Sequence, residues 1–187
     1  NILRQDPDVV MVGELRDLET VQNAIQTALT GHLVLSTLHT NDAPSAIIRL
    51  LDIGLPYFLI QATLTGVLSQ RLVRKICPKC FESFDMDCDH LRQMGLDVGS
   101  NGNVKLYQGK GCIHCRYTGY YGRTSVYEVM PYTRALRQKT SSSADLNAIR
   151  EQAMKEGMVT LRENAIKKLL DGITTYQEVM RVTWEQE

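Results

Sequence analysis

Asp8-Val9-Val10-Met11-Val12-Gly13, a short apolar run that follows Pro7, is the stretch that decides the fold. Such a run between turn residues predicts a β-strand that is buried on both faces and central in a sheet. A second apolar run, from Leu33 to Leu38, predicts another buried strand. Between the two runs, apolar residues recur at helical spacing from Leu18 to Leu29. The order strand, helix, strand implies parallel pairing, so the predicted fold class is α/β.

Capping residues predict where the first helices begin and end. Asp17 is placed to cap the first helix, and Gly31 is placed to end it. The stretch Asn41-Asp42-Ala43-Pro44 predicts the start of a second helix, with proline just inside it. Pro56 predicts the start of a third helix that continues through Leu68.

The carboxyl-terminal third begins with a predicted strand, Thr124 to Val129, and continues as helices. Thr160 with Glu163, and Thr175 with Glu178, have the spacing of the capping box at a helix start. The sequence therefore predicts a small bundle of helices in this region.

The segment 77–118 differs from the rest because it is glycine-rich and has no long hydrophobic period. It lacks the apolar mass for a core of its own, so we expect it to need a metal. The predicted organisation is an α/β part (1–76), an insertion (77–118) and a mostly helical carboxyl-terminal part (119–187).

Composition limits the classes of protein to consider. The chain has 187 residues, 43 % hydrophobic and 22 % charged, so we expect a globular core. Its 21 Lys and Arg balance 21 Asp and Glu, which leaves no overall electrostatic case for nucleic acid. Each apolar stretch is interrupted before the roughly 20 residues that a membrane-spanning helix needs. The first residues, Asn1-Ile2-Leu3-Arg4, show no signal-peptide pattern and have the character of a helix end, so we expect a piece of a longer protein.

Two matched cysteine pairs are the most specific chemical signal. Cys77-x-x-Cys80 and Cys112-x-x-Cys115 are separated by 31 residues, and each pair can direct two thiolates at one ion. The pattern predicts a structural zinc site; four ordinary buried thiols or a redox pair are the alternatives. Cys88, His90 and His114 are spare potential ligands, which we interpret as surface or packing residues.

Two polar residues follow the predicted strands at the end where α/β sheets bind ligands. Glu14 follows the first strand and His39 the second. A carboxylate there can reach Mg²⁺ or an attacking water, and an imidazole can sense a phosphate. The alternatives are that Glu14 caps the next helix and that His39 is structural.

Three motifs, in order, resemble those of the secretion ATPases, the motors of bacterial type II secretion and type IV pilus assembly. Residues Leu3 to Thr20 (LRQDPDVVMVGELRDLET) resemble the Walker B region, and Thr30 to Ala43 resemble the histidine box. The four cysteines followed by Thr118 to Arg123 resemble the zinc subdomain of the secretion and assembly motors, which the pilus-retraction branch lacks. The resemblance covers essentially the whole chain.

The resemblance implies roles for individual residues. Glu14 takes the Walker B role, which is to help to hold Mg²⁺ and to orient the hydrolytic water. His32 and His39 become histidine-box residues that couple the nucleotide site to motion.

The resemblance also draws attention to three arginines. Arg16 is an organiser of the site or, alternatively, an ion-pair partner of Asp17 or Glu19. Arg71 and Arg74, on a strand-like stretch, face the nucleotide or an adjacent subunit or, alternatively, form a solvated basic strand end.

For the whole protein, the resemblance implies a RecA-like P-loop NTPase, of which 1–76 is a partial core. It implies a cytoplasmic homo-hexamer that uses ATP and Mg²⁺ and works with platform proteins at the inner face of the bacterial inner membrane. The chain has no Gly-x-x-x-x-Gly-Lys-Ser/Thr loop to cradle phosphates, so we expect this loop to lie upstream and the fragment to be inactive. Secretion and pilus assembly stay equally open. The alternative functions are a non-enzymatic zinc-ribbon binding module and an interaction platform.

Overall fold

The chain, described here by a computed structural model over residues 7–99 and 101–183, has the predicted mixed α/β class. The strands are β1 (Val9–Val12), β2 (Leu33–Ser36), β3 (Gly66–Ile76), β4 (Phe81–Asp87), β5 (Asn103–Gly109) and β6 (Tyr120–Pro131). The helices are α1 (Leu18–Leu29), α2 (Ala43–Asp52), α3 (Tyr57–Thr63), α4 (Cys88–Gln93), α5 (Arg134–Lys139), α6 (Leu146–Lys155), α7 (Leu161–Leu170) and α8 (Tyr176–Thr183). Within the described ranges, no helix has the length and apolar character to cross a membrane. The helix end predicted for the first four residues lies outside the described residues.

The strands β1 and β2 pair in parallel, as predicted, with Val9 opposite Leu33 and Val12 opposite Ser36. The prediction that both strands are buried and central is wrong. Val9 is 52 % exposed and Met11 74 % exposed. Over the described ranges the sheet has only these two strands, so each strand has a single neighbour. The face that carries Val9 and Met11 also carries Leu33 and Leu35, each 50 % exposed.

The predicted caps of the first two helices are confirmed. The Asp17 side chain accepts a hydrogen bond from Thr20 N–H at the start of α1, and Gly31 follows the helix with a φ of 98°. Asp42 caps α2. The third helix is shorter than predicted: α3 ends at Thr63 because the next residue is extended, and the chain continues as β3.

The chain divides into two compact units, which differ from the three predicted segments. Over the described residues, unit 1 comprises 7–69 and 129–158, and unit 2 comprises 70–99, 101–128 and 159–183. The helices predicted to form one bundle are divided between the two units. Unit 1 contains α5 and α6, and unit 2 contains α7 and α8.

Unit 1 has one apolar core, to which helices from both of its chain segments contribute. Its largest fully buried side chains include residues of α2, α3, β6, α5 and α6, namely Ile47, Ile60, Met130, Leu136 and Ile149. This core holds α6 against α2.

Unit 2 shows more regular structure in 77–118 than its glycine-rich sequence predicts, and the segment shares a core with other elements instead of having one of its own. This segment forms the antiparallel pair β4–β5 and the helix α4. It buries Leu91, Leu96 and Leu106 in one cluster with Leu161 and Leu169 of α7. A search for a helical period does not detect this structure, because buried and exposed residues alternate every two positions along β4. The core is also shared with helices that are distant in sequence.

One of the two predicted capping boxes is confirmed. Thr160 and Glu163 hydrogen-bond each other's backbone N–H groups at the start of α7. At α8, Thr175 accepts from Glu178 N–H, but the Glu178 carboxylate binds Arg74 and Arg181 instead of completing the box.

Candidate functional site

Hydrogen bonds join the last residues of β1 and β2 and the loops that follow these strands. Leu15 N–H donates to the Thr37 carbonyl at 3.0 Å, and the Thr37 hydroxyl donates to the Gly13 carbonyl at 2.6 Å. The Ser36 hydroxyl donates to the Val12 carbonyl at 2.8 Å. These bonds fix the two loops side by side where both parallel strands end.

The joined loops bring together the three predicted catalytic residues, which are Glu14, Arg16 and His39. Glu14 Oε1 lies 3.0 Å from His39 Nε2, and Glu14 Oε2 lies 2.6 Å from Arg16 Nε. The Glu14 side chain is 20 % exposed, whereas those of Arg16 and His39 are 75 % and 88 % exposed. A half-buried carboxylate is therefore flanked by two exposed cationic or ionisable groups at the edge where α/β sheets bind ligands.

Arg16 pairs with a different carboxylate from the two considered as alternatives. Its partner is Glu14, not Asp17 or Glu19. Asp17 is engaged instead with the Thr20 backbone N–H, which lowers the pKa of the Asp17 carboxyl. This arrangement is consistent with Arg16 as an organiser of the Glu14 carboxylate.

His32 lies apart from this group, at the opposite end of β2. Its Nδ1 is 3.0 Å from the Thr30 hydroxyl and 3.1 Å from the Thr27 carbonyl. The ring thus contacts the carboxyl end of α1, and the structure does not bring it to Glu14.

An ion pair that the sequence analysis missed stabilises the end of the His39 loop. The Asp42 carboxylate accepts from Ser45 N–H at 2.8 Å and from Arg150 Nη2 at 2.6 Å. Burial opposes the charge on Asp42, but the hydrogen bonds from Ser45 and Arg150 outweigh it and lower its pKa. Only the capping role of Asp42 was visible in the sequence, because Arg150 is 108 positions away.

Arg71 and Arg74 both lie on β3 in unit 2 with exposed side chains. Arg74 donates from Nε and Nη2 to Glu178 Oε1, and its guanidinium lies 4.1 Å from the centre of the Tyr120 ring. The Glu178 side chain is only 1 % exposed and also accepts from Arg181 and from Arg74 N–H. Glu178 therefore holds Arg74, a contact that the capping-box interpretation of Glu178 concealed.

Glu178→Gln is expected to destabilise the chain strongly at pH 7 and less than half as much at pH 3. Burial opposes the Glu178 charge, but hydrogen bonds from Arg181 and Arg74 outweigh it and lower the pKa from 4.5 to about 2. A lowered folded-state pKa contributes stability that is complete above the unfolded value and is lost as the pH falls towards 2. The depression corresponds to at most about 3 kcal/mol.

Urea denaturation followed by circular dichroism at both pH values measures this effect. Asp171→Asn, an exposed carboxylate after α7, is the matched control and should change neither curve. The same loss of stability at pH 7 and pH 3 for Glu178→Gln would contradict the expectation.

The four paired cysteines converge in unit 2, as predicted. Their sulfur atoms all lie within 4.8 Å of one another. Three of the separations are 4.0 Å (Cys77 to Cys112), 3.8 Å (Cys80 to Cys115) and 3.7 Å (Cys112 to Cys115). Tetrahedral zinc with Zn–S bonds of about 2.3 Å requires sulfur atoms about 3.8 Å apart, so the donor set fits such an ion.

Backbone N–H groups point at this sulfur cluster. Gly111 N–H donates to Cys80 Sγ at 3.3 Å, and Cys112 N–H donates to Cys115 Sγ at 3.2 Å. Burial raises the pKa of the Cys80 thiol to about 12. At Cys115, burial is outweighed by the N–H groups of Cys112 and Gly119, which lower the pKa to about 6. A bound cation would favour thiolates at all four positions.

The spare candidates lie outside the cluster. Cys88 is fully buried in the apolar core of unit 2, so it is a packing residue. His90 and His114 are exposed, and the His114 ring lies 4.2 Å from that of Tyr121. Their interpretation as packing and surface residues agrees with these positions.

The chain is similar to known proteins over nearly its whole length. The family model described as "Type II/IV secretion system protein" matches residues 1–181. The type IV pilus assembly ATPase TfpB of Acinetobacter baylyi is 50 % identical over 181 residues, which cover 97 % of this chain and 31 % of that protein. The type II secretion system ATPase E of Vibrio cholerae is 47 % identical over 184 residues, which cover 98 % of this chain and 36 % of that protein. The chain thus spans about a third of the length of these relatives.

Solved structures show the same fold. The crystal structure of the pilus retraction motor PilT with bound ADP matches with a TM-score of 0.62 and 28 % identity, over 99 % of this chain and 42 % of that one. The ATPase DotB of Legionella pneumophila matches with a TM-score of 0.65 and 21 % identity, over 97 % of this chain and 40 % of that one.

Proposed function

Because the chain belongs to the type II/IV secretion system protein family, we propose that it is part of a motor that powers type II secretion or type IV pilus assembly by ATP hydrolysis. Membership of this family confirms the resemblance that the sequence motifs indicate. Residues 3–6 of the first motif lie outside the residues that the structure describes. The observation that carries the proposal is the grouping of Glu14, Arg16 and His39 where β1 and β2 end.

In this proposal, Glu14 is the catalytic carboxylate. Its oxygens suit Mg²⁺, which when bound neutralises charge on the phosphates, and its position suits an attacking water. Arg16 and His39 each contact one oxygen of Glu14, so they fix the direction in which the carboxylate points. His39 is exposed and is placed to report on the nucleotide.

The other predicted nucleotide contacts carry less structural support. His32 and Arg71 stay candidates for coupling to the nucleotide site or to a neighbouring subunit. Arg74 has its Nε and Nη2 donors engaged by Glu178, so that role requires the ion pair to open.

We assign a structural zinc ion to Cys77, Cys80, Cys112 and Cys115. The separations of the sulfur atoms and the N–H groups directed at them support this assignment. Four thiolates complete a closed tetrahedral shell, which is the arrangement of structural rather than catalytic zinc.

For the full-length protein, we propose a cytoplasmic homo-hexamer at the inner face of the inner membrane, acting with platform proteins of the secretion or pilus machinery. The chain itself has no phosphate-binding loop motif. We therefore propose that another part of the full-length protein supplies the phosphate-binding loop, and that this chain alone is inactive.

The test compares the full-length protein with this chain. We expect the full-length protein to hydrolyse ATP and to restore secretion or piliation in a strain that lacks it, whereas calorimetric titration of this chain with Mg-ATP should show no tight binding. A full-length protein without ATPase activity would contradict the proposal and favour a non-enzymatic binding module. Low-micromolar binding to the chain alone would show that the nucleotide site has been misplaced.

A further inference from the structure

The short loop that carries His39 is anchored at both of its ends. At the first end, Thr37 exchanges hydrogen bonds with the loop after β1. At the second end, Asp42 caps α2, and the Thr40 hydroxyl donates to the Asp42 carbonyl at 3.1 Å. The position of His39 therefore depends on where these two anchors hold the backbone.

The second anchor is tied to a helix that is remote in sequence. Arg150 Nη2 lies 2.6 Å from Asp42 Oδ2, and the Arg150 side chain is 32 % exposed. Next to Arg150 on α6, Ile149 is fully buried in the core of unit 1, and Ala153, one turn on, is 2 % exposed. The Arg150 guanidinium is therefore attached to a helix that the core of unit 1 holds in place.

We propose that Arg150 is a positioning residue for the Glu14 site: by holding the Asp42 carboxylate, it fixes the end of the loop that presents His39 to Glu14. This inference rests on the proposed function, because it assigns the site a further residue.

The need for such an anchor follows from the exposure of His39. Its side chain is 88 % exposed, so packing does little to hold the ring 3.0 Å from Glu14 Oε1. Misplacement of a site residue by about 1 Å costs up to roughly a hundredfold in rate. A charge-assisted hydrogen bond is stronger and shorter than a neutral one, which suits Arg150 and Asp42 to this role.

A purely structural role for Arg150, as a support for α2, makes different predictions. A lost support lowers thermal stability and the fraction of folded protein, and its effect does not depend on His39. A positioning residue acts through His39, so its effect disappears when His39 is removed.

The kinetic test uses the full-length protein. Arg150→Gln is expected to lower kcat about three- to tenfold, with KM for ATP changed less than about twofold. Asp42→Asn, which keeps a capping side chain, should do the same, and the double variant should be no slower than either single variant. In a His39→Ala background, Arg150→Gln should have no further effect. Lys155→Gln, an exposed cation on the same helix, is the matched control and should leave kcat unchanged.

A second readout does not depend on activity. The chain has four histidines, so the His39 ring signals can be assigned by NMR with His39→Ala. In Arg150→Gln the His39 signals should move, while those of His32, at the other end of β2, should not.

Two results would overturn the inference. The first is that Arg150→Gln lowers kcat by the same factor in the wild-type and His39→Ala backgrounds. The second is that the His39 ring signals in Arg150→Gln are the same as in the wild-type protein. If the wild-type full-length protein hydrolyses ATP, either result contradicts the role of Arg150 and leaves the proposed function standing. Failure of the wild-type protein to hydrolyse ATP would instead remove the proposed function.

Discussion

Glu14→Gln is expected to lower kcat for ATP hydrolysis by the full-length protein at least about a hundredfold. The substitution keeps the size of the side chain and its packing between the two loops. It removes the charge that favours Mg²⁺ and the oxygen that can accept a proton from water. It also replaces the partner of both Arg16 and His39 with a neutral amide. Nucleotide binding should be retained, because in the proposed motor the phosphate loop carries most of it.

The matched control is Glu19→Gln, an exposed carboxylate in the first turn of α1. It makes the same change in charge five residues away and should leave the ATPase rate unchanged. ATPase rate and nucleotide affinity should be measured on the same preparations. A rate for Glu14→Gln within about threefold of wild type would show that Glu14 is an ordinary carboxylate before a helix.

Much of the site could be predicted from the sequence because its geometry follows from local rules. The carboxyl ends of parallel strands meet at one edge of a sheet, so Glu14 and His39 were expected to be neighbours, and they are. The cysteine spacing similarly predicted a converging set of thiols, which the structure contains. In both cases the information lies within a few residues of a strand end or a turn.

What the sequence did not reveal depends on pairing between distant segments. Arg150 contacts Asp42 across 108 positions, and Glu178 contacts Arg74 across 104. Arg150 does not stand out by its local pattern, and Arg74 attracts attention on its strand without any local sign of its partner. The spacing of Thr175 and Glu178 predicts a capping box, because the cap rule depends only on spacing. In the structure the Glu178 carboxylate is buried and pairs with the guanidinium groups of Arg74 and Arg181.

The same dependence on distant segments applies to 77–118. Counting apolar residues inside the segment predicts that it has no core of its own and that a metal must hold it. The structure places Leu91, Leu96 and Leu106 in a cluster with α7 and α8, so the missing apolar surface comes from residues beyond 160. This finding changes what the loss of the metal should do.

Purified without chelators, the chain is expected to contain one equivalent of zinc, and Cys112→Ser is expected to lose it. Structural zinc held by thiolates contributes on the order of 10 kcal/mol of apparent binding free energy, so one lost ligand should reduce occupancy to near zero under dialysis. Cys88→Ala is the matched control. It removes a fully buried sulfur in the same unit that lies outside the four-sulfur set, so it should cost stability but leave the metal bound. Elemental analysis measures the metal in each variant.

The structural consequence should be local, although the sequence alone predicts that 77–118 as a whole needs a metal. None of the four cysteines belongs to the apolar cluster that joins β5, α4, α7 and α8. Between 110 and 119 the buried residues are Cys115 and Gly119, so apolar packing contributes little there, and the turn depends on the cysteine cluster and on hydrogen bonds such as that from Tyr117 N–H to the Cys112 carbonyl. Hydrogen exchange should therefore show loss of protection at 110–119 in Cys112→Ser, while the amides of α7 keep theirs. Full metal content in Cys112→Ser would refute the ligand assignment. Loss of protection in α7 would show that the zinc, rather than the shared apolar cluster, organises unit 2.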